Sequence, residues 1–135
     1  GMAGPGGRGI RPAEWLLIAG DETALPAIAR GLEALPSSTR GLVIVEVESS
    51  ADALPLTRSN GIALRWLHRN GGKSRLAEAV MQVDLPVERD LFCWAGAERE
   101  QARAIRGYWR DTCGLDKSQH LSVAYWEAET GSGDD

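Results

Sequence analysis

The stretch from Trp15 to Ile28, WLLIAGDETALPAI, constrains the fold more than any other part of the chain. Its five apolar residues, 15–19, have the length and character of a strand that is buried on both faces of a parallel sheet. Gly20 follows directly, and a helix is then indicated because Thr23 can cap it and Pro26 is tolerated in a first turn. A strand that turns into a helix at one glycine aims the free N–H groups of that helix at the carboxyl edge of the sheet. The sequence therefore predicts an anion site at this edge.

The remaining elements alternate in the same way along the chain. Further strands are predicted at 42–48, 62–68, 90–95 and 120–126, with helices at 74–82 and 98–112. This alternation predicts an α/β fold, a five-stranded parallel sheet with helices on both faces. Ligands of such sheets bind beyond the carboxyl ends of the strands, so five segments should converge there. They are Gly20–Ala24, Glu48–Ser50, His68–Lys73, Gly96–Glu98 and Tyr125–Glu127.

Composition excludes several classes of protein. The 135 residues are 43% hydrophobic, which suits one domain with a real core, and the net charge of −4 argues against binding to nucleic acid or to an anionic membrane. No signal peptide and no apolar run of about 18 residues occurs, so we expect a soluble, cytoplasmic protein. Cys93 and Cys113 are far apart without metal-ligand spacing, which indicates reduced core thiols and no metal site.

The two ends of the chain are expected to lie outside the domain. Residues 1–12 are rich in glycine and proline and are interpreted as a connector with a tag scar at Gly1, residues 13–127 as the domain, and 128–135 as a solvated tail. Gly4, Gly6 and Gly9 match a dinucleotide-binding glycine pattern formally. They lack the strand before and the helix after that the pattern requires, so this match is rejected.

The segment Gly20–Ala24 is the first candidate site. It contains Gly20, Asp21, Glu22, Thr23 and Ala24, and its backbone could cradle a phosphate with help from the Thr23 hydroxyl. The alternative is plain helix capping, with two carboxylates near the positive end of the helix dipole. If a nucleotide binds here, those carboxylates must point away from its phosphates or bind hydroxyl groups.

The densest basic cluster at the predicted edge comprises His68, Arg69 and Lys73, with Arg75 nearby. Because the arginine fork donates two hydrogen bonds at once, this cluster could clamp the 2′-phosphate of NADPH. The alternative is a solvated turn.

A second predicted strand-to-helix turn contains Gly96, Ala97 and Glu98 and could flank the other end of a dinucleotide. Tyr125 and Trp126 close the last predicted strand, where aromatic rings could stack on a planar ligand. No arrangement typical of a hydrolase is present. The residues themselves indicate a nucleotide-binding α/β domain.

The string from Leu17 to Ile28, LIAGDETALPAI, resembles the signature of siderophore-interacting proteins, the flavin-dependent ferric-siderophore reductases. Further matches follow in family order at Arg65–Arg69, Trp94–Glu98 and Tyr125–Trp126. These proteins resemble ferredoxin–NADP reductases, in which an N-terminal barrel holds FAD and a C-terminal domain receives NAD(P)H. This chain resembles only the C-terminal domain.

The resemblance implies a role for each candidate. Gly20–Ala24 would face the pyrophosphate and the nicotinamide ribose, and Arg69 with Lys73 or Arg75 would face the adenosine phosphate. Gly96, Ala97 and Glu98 would line the nicotinamide side, with Tyr125 and Trp126 near the flavin.

The expected function is therefore the NAD(P)H-binding half of such a reductase, using NADPH or NADH. Its partner would be an FAD-binding barrel domain in cis or in trans, and the complete enzyme would act on a ferric siderophore. The chain alone should be inactive because hydride transfer needs an acceptor in contact with the nicotinamide.

Two alternatives stay open. One is a stand-alone, non-catalytic domain that binds a nucleotide or a partner, possibly as a homodimer; the other is a flavodoxin-like electron carrier.

Overall fold

Strands and helices alternate along residues 9–128, the part of the chain that the computed structural model describes. The strands are β1 (Trp15–Asp21), β2 (Arg40–Val47), β3 (Ile62–His68), β4 (Leu91–Glu98) and β5 (His120–Trp126). The helices are α1 (Leu25–Glu33), α2 (Leu76–Met81) and α3 (Arg99–Gly107), and a π-helical turn, Tyr108–Thr112, extends α3. Most of the predicted connector and tail, residues 1–8 and 129–135, lies outside the described residues.

The five strands form one parallel sheet in the order β3-β2-β1-β4-β5. The chain adds strands on one side of β1 as far as β3 and then crosses to the other side for β4 and β5. The strand order therefore reverses between β1 and β4, where Gly20 is in register with Gly96. The predicted five-stranded parallel sheet is confirmed.

The sheet is covered by helices on both faces because apolar residues of the central strands alternate in direction. Leu16 and Ile18 of β1 pack with Ile28 of α1 on one face. Leu17 and Ala19 point the other way and pack in the cluster that α2 and α3 cover. This arrangement confirms the predicted three-layer α/β fold.

The predicted strand-to-helix turns at Gly20 and Gly96 are wrong. Both glycines lie inside strands, since β1 continues to Asp21 and β4 continues to Glu98. Strand pairing causes this continuation, because Gly20 has a partner on each side. Thr23 is not the helix cap either. Asp21 caps a 3₁₀ turn, 22–24, that precedes α1.

Gly20 serves packing rather than chain reversal. A Cβ atom at this position would lie 2.9 Å from Cδ1 of Ile28 and 3.0 Å from the carbonyl oxygen of Gly96. The missing side chain lets α1 approach the sheet closely. Side chains of α1 thus cover the glycine that was predicted to face an anion.

The last residues of the predicted connector pack on the domain. Ile10 contacts Gly31 of α1, where a Cβ atom would lie 2.5 Å from Cδ1 of Ile10. The Arg11 guanidinium lies 4.9 Å from the ring centroid of Phe92 and donates hydrogen bonds of 3.2 and 3.0 Å to the Ser118 carbonyl. These contacts fix the start of the described chain against the sheet.

Residues 9–128 contain neither a membrane-spanning helix nor a cluster of metal-ligand side chains. No helix in this range combines the length and the apolar character needed to cross a bilayer. No group of three or more His, Cys, Asp or Glu side chains in the same range could hold a metal ion.

Candidate functional site

A cleft of about 620 Å³ opens at the carboxyl edge of the sheet, where the strand order reverses. This is the position at which open α/β sheets bind their ligands. The lining residues come from the ends of all five strands or from the segments that follow them. They are Asp21, Glu22, Thr23, Glu46, Arg69, Lys73, Ser74, Glu98, Gln101, Trp126 and Ala128.

Asp21 joins three strand ends on one side of the cleft. Its Oδ1 accepts a hydrogen bond of 3.0 Å from the Thr23 amide and another from the Thr23 hydroxyl. Its Oδ2 accepts from the Glu98 amide at 3.1 Å and from Nε1 of Trp126 at 2.9 Å. The buried carboxylate thus bonds the Thr23 amide that was predicted to face a phosphate. The Asp21 carboxylate therefore occupies the place where an external anion was predicted to bind.

Arg69 forms the opposite wall with three carboxylates. Its Nη2 pairs with Glu22, its Nη1 with Glu46 at 3.3 Å, and its Nε with Glu48 at 3.3 Å. The hydrogen bond to Glu22, followed by its charge and the other carboxylates, raises the pKa of the guanidinium above its usual range, although burial acts in the opposite direction. Arg69 is therefore not the free cation that a phosphate clamp requires.

Glu46 is a residue of the cleft that the sequence analysis missed. Its side chain is only 1% exposed, and besides Arg69 it accepts hydrogen bonds of 2.6 Å from the Ser74 hydroxyl and from the Arg75 amide. It fixes the loop after β3 against the end of β2. The available signal was the position of Glu46 between Val45 and Val47 in an apolar run, because a buried charge needs partners.

Glu98 and Gln101 connect the two helices behind the cleft. Oε1 of Glu98 accepts hydrogen bonds from the amides of Glu100 and Gln101, at 3.0 and 3.4 Å, and so caps α3. Oε1 of Gln101 in turn accepts from the Ala77 amide of α2 at 2.9 Å. The rear wall of the cleft is therefore fixed by side-chain caps.

Negatively charged side chains outnumber positively charged ones in the lining of the cleft. Four carboxylates line it, from Asp21, Glu22, Glu46 and Glu98, whereas Arg69 and Lys73 are its two cations. Lys73 is exposed, and within the described residues it forms no ion pair. It is thus the cation of the cleft that can meet an incoming anion.

The structure brings together seven of the predicted site residues. Asp21, Glu22, Thr23, Arg69, Lys73, Glu98 and Trp126 line the cleft. The other six lie outside its lining: Gly20, Ala24, His68, Gly96, Ala97 and Tyr125.

Tyr125 and Trp126 separate because neighbouring residues of a strand point to opposite faces. The Tyr125 ring packs edge-on against Trp94, with 6.2 Å between centroids and 83° between planes, while Trp126 turns to Asp21. The two rings therefore form no common stacking platform. Ala97 is buried in the core beside α2 and α3, and Ala24 lies beneath α1.

Comparison with known proteins places this geometry in a family. The family model described as "Siderophore-interacting protein" matches residues 13–129. The ferric vibriobactin reductase ViuB of Vibrio cholerae is 31% identical over 132 residues, covering 94% of this chain and 49% of that protein. The chain thus spans about half the length of this curated relative.

Solved structures agree with the sequence comparison. The siderophore-interacting protein SipS from Aeromonas hydrophila superposes with a TM-score of 0.78 at 29% identity, covering 89% of this chain and 54% of that one. A siderophore utilization protein from T. fusca gives a TM-score of 0.78 at 32% identity, with 90% and 47% covered. The chain belongs to the siderophore-interacting protein family.

Proposed function

We propose that this chain is the NAD(P)H-binding half of a siderophore-interacting flavin reductase. In the complete enzyme the nicotinamide supplies a hydride to FAD, whose electrons then reduce a ferric siderophore, the substrate. The observation that carries the proposal is the cleft at the reversal of strand order, in a chain that spans about half of a ferric-siderophore reductase relative.

The cleft residues fit a dinucleotide in size and chemistry. A volume of about 620 Å³ lies within the range of about 300–1,000 Å³ that is typical of small-ligand sites. Lys73 offers an exposed ammonium group to a phosphate, and the Glu22 carboxylate can accept a hydrogen bond from a ribose hydroxyl. The Trp126 indole supplies an aromatic surface beside the end of β4.

The proposed roles follow the order of the strands. Lys73 meets the pyrophosphate, and the segment Asp21–Thr23, whose Asp21 carboxylate already accepts the Thr23 amide, borders the nicotinamide ribose. Glu22 and Arg69 flank the adenosine side, at the β2 end of the cleft. Glu98 and Trp126 flank the nicotinamide side, at the β4 and β5 end.

The flavin belongs to a second domain in this proposal. An FAD-binding barrel, in cis or in trans, would bring the isoalloxazine ring into contact with the nicotinamide, as hydride transfer requires. The isolated chain should therefore bind NAD(P)H without reducing a ferric siderophore. The complete enzyme would work in the cytoplasm, where NAD(P)H is available.

Calorimetric titration of the chain with NADH and with NADPH tests the proposal. Lys73→Met should weaken binding of the nucleotides at least fivefold, since it removes the unpaired cation of the cleft. Lys117→Met is the matched control, because Lys117 is the other lysine of the chain and lies in the exposed 3₁₀ turn before β5. Absence of binding of both nucleotides at millimolar concentration, or equal effects of the two variants, would contradict the proposal.

A further inference from the structure

All three nitrogens of the Arg69 guanidinium are engaged by carboxylates. Each of its three nitrogens faces a different carboxylate: Nη2 faces Glu22, Nη1 faces Glu46 and Nε faces Glu48. The side chain is also 18% exposed, so little of it reaches solvent. A bidentate grip of Arg69 on a phosphate would have to compete with these three ion pairs.

The carboxylates around Arg69 are themselves held in place. Glu46 is buried and receives two further hydrogen bonds of 2.6 Å, from the Ser74 hydroxyl and the Arg75 amide. Removing Arg69 from it would leave a buried charge with fewer partners, which is strongly unfavourable. Glu48 accepts a hydrogen bond of 2.5 Å from the Gly71 amide. The acidic wall is therefore a fixed feature of the fold.

The charge balance of this wall opposes a phosphate monoester. Three carboxylates around one guanidinium leave an excess of two negative charges. A 2′-phosphate would add about two more negative charges at neutral pH. Lys73 does not reverse the balance, because the cleft still has four carboxylates against two cations.

A ribose hydroxyl, unlike a phosphate, is favoured beside these carboxylates. It is neutral and can donate a hydrogen bond to a carboxylate, and in doubly wound sheets an acidic residue after the second strand binds the 2′-hydroxyl of NAD. Here Glu46 lies in β2 and Glu48 follows it directly, while Glu22 is the partly exposed carboxylate that lines the cleft beside them.

We infer that the Arg69 carboxylate cluster, Glu22, Glu46 and Glu48, makes this cleft select NADH over NADPH. The inference rests on the proposed function and gives Arg69 a different role from the predicted 2′-phosphate clamp. Arg69 is a positioning residue that holds the carboxylates, and Glu22 is the residue that determines specificity at the cleft surface.

The experiment is a calorimetric titration of the full chain with NADH and NADPH at low salt. We expect NADH to bind at least tenfold more tightly. Glu22→Gln removes one charge at the cleft surface and should reduce the ratio of the two dissociation constants at least threefold. Glu33→Gln is the matched control, because it removes the same charge at an exposed position at the end of α1 and should leave the ratio unchanged.

The outcomes separate this inference from the function on which it rests. If both nucleotides bind equally, or NADPH binds more tightly, the specificity inference is wrong and the proposed function stands. If Glu22→Gln changes the ratio no more than Glu33→Gln, the carboxylate cluster does not determine specificity. If neither nucleotide binds, the proposed function fails and the inference fails with it.

Discussion

The indole Nε1 of Trp126 donates a hydrogen bond of 2.9 Å to Oδ2 of Asp21, a residue 105 positions earlier in the chain. The bond joins the end of β5 to the end of β1. It spans β4, whose last residue, Glu98, donates its amide to the same oxygen at 3.1 Å. One buried carboxylate therefore determines how the strand ends close one side of the cleft.

Loss of this donor should destabilise the fold measurably. Trp126→Phe keeps an aromatic ring and removes the N–H group, so we expect a loss of about 1 kcal/mol in the free energy of unfolding, measured with urea. The expected loss of stability is moderate because Trp126 is 43% exposed, so that water can partly replace the lost donor. Tyr125→Phe is the control on the neighbouring residue and should change stability by less than about 0.5 kcal/mol. Equal losses in the two variants would show that the hydrogen bond contributes nothing specific.

The close approach of α1 to the sheet gives a second prediction. Gly20→Ala would place Cβ 3.0 Å from the Gly96 carbonyl oxygen, a backbone atom that cannot move freely, so we expect a loss of about 1–3 kcal/mol in the free energy of unfolding. Gly107→Ala is the matched control at the end of α3. Nothing lies within 4 Å of the added methyl group, so that variant should be neutral or stabilised by up to about 1 kcal/mol. Urea unfolding of both variants decides the matter, and a stable Gly20→Ala protein would contradict the packing role.

The fold could be predicted because its signals are local. Five apolar runs alternate with helical patterns, and each strand begins and ends within three residues of its predicted bounds; the largest difference is that β4 ends three residues later than predicted. The order of the strands in the sheet could not be predicted from local signals, since strand pairing depends on contacts between segments that are distant in sequence. Gly20 and Gly96 show this limit. A glycine after an apolar run is compatible with a turn, but pairing with both neighbours kept Gly20 in the strand.

The candidate site was predictable in position and less so in chemistry. Asp21 and Glu98 were expected at one edge because the carboxyl ends of parallel strands meet there, and both line the cleft. The side-chain partners within the site could not be predicted. Asp21 bonds to Trp126 and Arg69 to Glu22, and each pair joins residues that are far apart in sequence. Arg69 therefore resembled a free phosphate ligand in the sequence, whereas in the structure its charge is neutralised.

The two thiols should differ strongly in reactivity. Burial raises the pKa of Cys93 to about 12, so at pH 8 this thiol stays protonated and unreactive. Cys113 is partly exposed. With a thiol-specific chromogenic disulfide at pH 8, we expect one thiol to react in the native protein and the second only after unfolding. Cys113→Ser should abolish the fast reaction, and loss of that reaction in Cys93→Ser instead would contradict the assignment.

Acid should destabilise the protein partly through His120. Burial, followed by the charges of Arg106 and Arg110, lowers the pKa of His120 below its ordinary value of 6.5, with Asp116 acting in the opposite direction. Below pH 6.5 the unfolded state therefore binds more protons at this residue than the native state, so stability falls as the pH falls. The free energy of unfolding of the wild type, measured with urea, should exceed that of His120→Gln most above pH 7. This difference should shrink toward pH 5. A difference in the free energy of unfolding that stays constant, or grows on acidification, would show that the native imidazole is protonated at least as easily as the unfolded one.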